Sequence, residues 1–181
     1  MLQPRIALIS CLLLLFSGFA AAGEDAAKTK PPRPCDLPEG AQFDFWVGEW
    51  DVTWTDAKGQ TQKGSNRIHK ILGSCIVEEN FSGGGFEGRS WSVYNPQTKK
   101  WQQTWVDSTG GYMVFTGTFA DGKMELRMAP VKTKDGKNLV RRMVFRNIDK
   151  NGFTWDWQSS VDDGKTWKDL WVLTYSRKTA S

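Results

Sequence analysis

The sequence predicts an all-β protein, a single antiparallel up-and-down barrel of about ten strands with a short helical turn before the first. Three observations predict it. Short β-type segments recur at roughly the 8–12-residue spacing of a sandwich or barrel. Turn pairs such as Asp121-Gly122, Asp135-Gly136, Asn151-Gly152 and Asp163-Gly164 punctuate them, and such pairs suit hairpins because their central residues must reach positive φ. No window has a helical period long enough for a crossover helix, so parallel pairing has nothing to carry it. A ten-stranded meander either rolls up or leaves two sticky edges, which favours closure over a sandwich.

Before the strands come two segments that do not belong to the barrel. Residues 1–22 read as a signal peptide: Arg5 precedes an apolar run from Ile6 to Leu15, and Ala20-Ala21-Ala22 offers a small-residue cleavage site. The run is too short for a spanning helix, so no membrane span is expected after signal removal. Residues 23–40 hold four of the seven prolines, Pro31, Pro32, Pro34 and Pro38, and are expected to be an extended leader. The barrel domain then occupies 41–181, with a helical turn over 41–47. Its strands are expected near 48–56, 61–72, 75–82, 87–95, 100–107, 111–120, 123–129, 138–149, 152–161 and 166–177. The connectors are short, so consecutive strands should pair as neighbours.

Removal of the first 22 residues leaves 159, one domain by length, and lowers the formal charge from +4 to +3. No basic run exceeds two residues, so nothing marks a nucleic-acid partner. Cys11 leaves with the signal, and Cys35 and Cys75 remain as an even pair in an oxidising compartment. A Cys35–Cys75 disulfide stapling the leader to the barrel is expected, with two unpaired thiols as the alternative. Export places the protein in the periplasm or outside the cell.

The aromatic load carries the most information. All ten Trp, all three Tyr and eight of ten Phe lie beyond residue 22. Phe153, Trp155 and Trp157 alternate with Thr154, Asp156 and Gln158, a strand with one apolar and one polar face. Across the next turn Trp157 should face Trp171, Trp155 face Leu173, and Phe153 face Tyr175. A loop spanning Pro96 to Thr98 would set Trp91 opposite Gln103 and Val93 opposite Trp101, with Trp105 and Asp107 further along. Arg89, Gln103 and Asp107 would then share the inner face, where an Arg89–Asp107 pair needs mutual contact or a ligand. The rings either fill the barrel solidly or line a cavity for an apolar or ring-bearing ligand. In the second case the candidate binding residues are Arg89, Trp91, Trp101, Gln103, Trp105, Asp107, Trp157 and Trp171.

Other motifs exclude more than they propose. Ser160-x-Asp162-x-Gly164-x-Thr166-Trp167 matches the Asp-box pattern, whose acidic side chain caps turn amides. It occurs once here, and it shapes a turn. His69 is the only histidine, which removes Ser-His-Asp chemistry unless His69 serves, and removes any multi-histidine metal site. Gly83-Gly84-Gly85 lacks the helix and Lys-Ser/Thr of a phosphate loop. Glu78 and Glu79 fall on opposite faces of one strand and so form no carboxylate dyad.

The stretch Phe43-Asp44-Phe45-Trp46-Val47-Gly48-Glu49-Trp50-Asp51-Val52 resembles the opening of a family of small exported bacterial proteins known as a domain of unknown function. The likeness runs on through Gly88-Arg89-Ser90 to Tyr94-Asn95-Pro96, Trp101 to Asp107, and Asp121-Gly122-Lys123-Met124. More distantly, Gly48-x-Trp50 is similar to the Gly-x-Trp signature of lipocalin-like and fatty-acid-binding-like barrels. In lipocalins a basic residue at the end of the last strand covers that Trp, and the resemblance implies the same closure from Gly48, Trp50 and Arg177.

Three functions follow as expectations. The first is an exported protein holding a small hydrophobic or aromatic ligand in a Trp-lined barrel. The second is a barrel enzyme using Asp107, Arg89 or His69, and the third an envelope interaction module with Trp displayed outside. No cofactor and no oligomeric state is named by the residues.

Overall fold

A computed structural model describes residues 31–179, and the signal peptide expected over 1–22 lies outside the described residues. The chain forms eleven strands: β1 (Gly48–Thr55), β2 (Thr61–Ile71), β3 (Ile76–Gly83), β4 (Phe86–Asn95), β5 (Lys100–Asp107), β6 (Tyr112–Ala120), β7 (Lys123–Arg127), β8 (Val131–Lys132), β9 (Asn138–Arg146), β10 (Gly152–Ser160) and β11 (Lys168–Arg177). Every pairing is antiparallel, and neighbours follow chain order from β1 to β7. β9 joins β7 to β10, β10 pairs with β11, and β11 returns to β1. Ten strands thus close into a barrel, which leaves no open edge for another chain to extend. The two-residue β8 is an extra hairpin partner of β9, outside the ring.

Turns and alternation account for this outcome. Among the described residues six non-glycine residues take positive φ, including Lys99, Asp121 and Asp163 at hairpin tips, beside glycines such as Gly122 and Gly164. Along β10 and β11 the pairs are Trp157 with Trp171, Trp155 with Leu173 and Phe153 with Tyr175, the register expected from the alternating rings.

One hairpin departs from expectation. The β4–β5 connection holds four residues, because Asn95 Oδ1 accepts hydrogen bonds from the backbone N–H of Gln97 and Thr98, and Asn95 pairs with Lys100. Ser92 therefore faces Gln103, and Tyr94 faces Trp101. A slip of one residue turns every side chain of a strand to the other face. Ser90, Ser92 and Tyr94 are buried, whereas Arg89 and Trp91 point outward.

The described part of the leader, from Pro31 on, is more structured than an extended segment. Pro34–Asp36, Pro38–Ala41 and Asp44–Trp46 form 3-10 turns, and the compact unit begins at Pro32. Proline at the first position of a helical turn loses no hydrogen bond, which suits this sequence to such turns. The last turn drives Phe43 and Trp46 into one end of the barrel, both essentially inaccessible to solvent. A Cys35–Cys75 disulfide ties the segment to the β2–β3 connection across 40 residues, worth ~4 kcal/mol in the chain-entropy account.

Candidate functional site

The two ends of the barrel are built differently. At the closed end Phe43 meets Trp101 edge-on at 4.7 Å and Phe145 at 5.5 Å, and Trp46 meets Phe145 at 5.1 Å. Trp50 is fully buried; its indole N–H donates to the Trp46 carbonyl at 2.7 Å, and the Arg177 guanidinium lies 4.1 Å over its ring. Arg177 also donates to the carbonyls of Phe45, Val47 and Lys150. Gly48 allows this closure, because its φ is +137° and an added Cβ would fall 2.3 Å from Arg177 Nη1. The cation thus covers an indole and links three backbone segments without a stranded charge.

The other half contains a cavity of about 170 Å³. Its floor is formed by Trp46 and Phe145, and its walls include Phe81, Phe115, Leu173 and Tyr175. Toward the open end it is bounded by Phe86, Trp105, Asp107, Trp155, Trp157 and Trp171. Trp155 and Trp157 run parallel at 6.4 Å, and Trp171 stands edge-on to both Trp155 and Trp54. Gly88 makes room for this rim, since an added Cβ would sit 2.0 Å from the Trp105 ring.

Besides Asp107 at the rim, one acidic group lies deep in this aromatic space. Glu79 on β3 is 7% exposed and lines the cavity. Its Oε1 accepts from Asn66 Nδ2 at 2.7 Å and its Oε2 from the Ser90 hydroxyl at 2.6 Å. Asn66 Nδ2 also donates to the Tyr175 hydroxyl oxygen at 3.1 Å. Behind Ser90, Gln103 Nε2 donates to the hydroxyls of Ser90 and Ser92. Five strands contribute to this chain of polar groups, and among the described residues Asn66 Oδ1, Gln103 Oε1 and the Trp46 indole N–H have no partner. Burial pushes the Glu79 carboxyl up to about 7, despite the two donors that favour its ionised form. Burial, followed by the nearby Glu79, likewise holds the Tyr175 phenol above its ordinary range.

The expected binding residues divide into three groups. Trp105, Asp107, Trp157 and Trp171 all line the cavity. Trp101 and Gln103 are buried deeper: Trp101 packs in the closed end with its N–H on Gln42, and Gln103 supports Ser90. Arg89 and Trp91 lie outside; Trp91 is 38% exposed and donates to Glu78, which also pairs with His69 at 2.9 Å. Arg89 and Asp107 therefore do not share a face, as the four-residue loop requires.

Asp107 caps its own turn, accepting from Thr109 N and Oγ1, Gly111 N and the Trp105 indole. Those donors, Thr109 and Trp105 foremost, hold its carboxyl at about 2. Asp107, Arg89 and His69 consequently do not converge on one reacting atom. Asp162 caps the Asp-box turn in the same way, accepting from Ser160 and Thr166, while Trp167 packs beneath Arg142 at 3.8 Å. The decisive acid was instead Glu79, and its signal was present in the sequence: Val77, Glu79 and Phe81 alternate on one face of β3, and both apolar partners are buried.

Residues 38–177 match the family model described as "Protein of unknown function (DUF1579)". The chain belongs to this family. The match spans the barrel and the 3-10 turns Pro38–Ala41 and Asp44–Trp46 before it, so the barrel architecture described above is that of a family member. No curated protein matches the chain at a significant level.

Proposed function

We propose that this family member is an exported binding protein that holds one small hydrophobic or aromatic molecule inside its barrel. The observation that carries the reading is the 170 Å³ cavity walled by aromatic rings. A dry, apolar cavity of ~150 Å³ takes up benzene, which sets the ligand at about the size of a single substituted ring. A long-chain lipid or a macrocyclic cofactor is far larger than this space. The Cys35–Cys75 disulfide supports export, because such bonds persist in oxidising compartments, and residues 1–22 would supply the signal. Among the described residues no helix is long and apolar enough to cross a membrane.

The binding residues in this reading are Trp105, Asp107, Trp157 and Trp171 at the rim, with Phe115, Leu173 and Tyr175 deeper in. The test is a titration of the purified protein with ethylbenzene, followed by tryptophan fluorescence. Saturable quenching at one site is expected, and Leu173→Trp, which places an indole in the cavity, should abolish it. Linear, unsaturable quenching that Leu173→Trp leaves unchanged would contradict the reading.

A further inference from the structure

We propose that the cavity selects a small protonated amine, with the Glu79 carboxylate as its counter-ion and the surrounding indole faces as its cage. This deepens the small-ligand reading and rests on it. The first argument is the charge inventory. Of the fifteen residues that line the cavity, two are acidic, Glu79 and Asp107, and none is Lys, Arg or His. An anionic ligand would be buried there without a counter-charge, which is prohibitively costly.

The second argument is hydrogen-bonding capacity. A carboxylate has about four acceptor positions, and Glu79 receives only one bond at each oxygen, from Asn66 and Ser90. Behind it, Asn66 Oδ1 and Gln103 Oε1 are buried acceptors without a partner among the described residues, but neither residue lines the cavity, and Trp46, which does, carries an unpartnered donor in its indole N–H. What Glu79 has to spare on the cavity side is acceptor positions, and an ammonium group brings three donors.

The walls point the same way. Ten of the fifteen lining residues are aromatic, and the negative faces of Trp, Tyr and Phe attract organic cations, the more so when water is excluded. Asp107, held ionised by its turn, places a negative charge at the mouth, where it favours entry of cations.

The binding step balances as an exchange. Without ligand, the buried Glu79 carboxyl retains a proton up to about pH 7. On binding, the ammonium takes over as the neutralising charge, and the Glu79 proton leaves to solvent. The titratable groups facing the cavity are Glu79, Asp107 and Tyr175. Asp107 stays ionised and Tyr175 stays neutral through the pH range concerned, so the released proton belongs to Glu79.

The experiment compares benzylamine with ethylbenzene, its isostere, and with benzoate, by calorimetry on the purified full-length protein. Glu79→Gln should weaken benzylamine at least about tenfold, as expected for removing one partner of a buried charge pair, and leave ethylbenzene within about twofold. In the wild type, titrations in buffers of different ionisation heat should show close to one proton released per benzylamine at about pH 6, and close to none at about pH 8. That count decides the matter even if Glu79→Gln fails to fold. If Glu79→Gln affects both probes equally, if no proton is released, or if benzoate outcompetes benzylamine, the amine claim is overturned while ethylbenzene binding keeps the small-ligand reading. If neither benzylamine nor ethylbenzene binds, both fall.

Discussion

The closed and open halves of this barrel use the same residue types for opposite ends. In the closed half, aromatic rings meet one another and a cation, the one guanidinium donates to three carbonyls, and a disulfide fixes the segment that fills it. In the open half, equally large rings pack against their neighbours along the wall but leave a void in the middle, and a carboxyl is buried without a cation. Packing density near that of a crystal is the norm for interiors, so a void bounded by ten aromatic rings is a departure, and one compatible with a bound hydrophobic molecule. The lesson is that aromatic content alone does not decide between core and pocket. The decision lies in what the rings touch.

The largest effect expected from breaking this contrast is on the closed side. Trp50→Ala removes a fully buried indole, its hydrogen bond to Trp46 and the platform under Arg177, and should destabilise the protein by about 3–5 kcal/mol in denaturant unfolding. A loss under about 1 kcal/mol would mean that Arg177 and the disulfide hold the end without it.

The second prediction has the opposite sign. The Glu79 carboxyl sits at about 7 in the folded protein, above its ordinary 4.5, so between those two values the folded state holds more protons than the unfolded chain. Stability from this group is fully present below about pH 4.5 and is lost as pH rises through about 7. Glu79→Gln is near-isosteric and removes that loss, and should therefore be more stable than the wild type at pH 8 by roughly 3 kcal/mol, with little difference at about pH 4. The turn-capping acids Asp36 and Asp107, whose carboxyls are held at about 2, act in a separate window, losing stability only in stronger acid. The difference between the two unfolding curves across pH isolates Glu79, and a constant offset would contradict the assignment.

The smallest effect belongs to the outer face. Trp91 is partly exposed and engages only Glu78 among side chains by hydrogen bond, so Trp91→Ala should change stability by no more than about 0.5 kcal/mol and leave ethylbenzene binding intact. A large loss of ligand affinity would show that the site extends outside the barrel.

Much of the fold was legible because its signals are local. Turn pairs such as Asp121-Gly122 and the alternating Phe153, Trp155 and Trp157 fix hairpins and faces without reference to the rest of the chain, and the β10–β11 register followed from them. The face of β4 was not legible, because it depends on whether a loop holds three or four residues, and that was set by an Asn95 side chain reaching back to the turn amides. Trp91 was consequently placed inside and Ser90 outside, the reverse of what the barrel does. Glu79 was hidden for another reason. Setting Glu78 and Glu79 on opposite faces of one strand does not say which of them faces inward, and only the alternation of Glu79 with Val77 and Phe81 marks its face as the inner one. Its partners Asn66, Ser90 and Tyr175 come from β2, β4 and β11, which only the closed barrel brings together. The one extra strand, β8, is two residues long, too short for any pattern to declare it.

The account stands or falls on the void in the open half. Crystals of the protein pressurised with xenon test it without assuming any ligand, since xenon enters apolar cavities of this size. The expected result is one xenon site bounded by Phe115, Trp157, Leu173 and Tyr175, and none among Phe43, Trp50 and Trp101. Rings collapsed together with no xenon between them would contradict it.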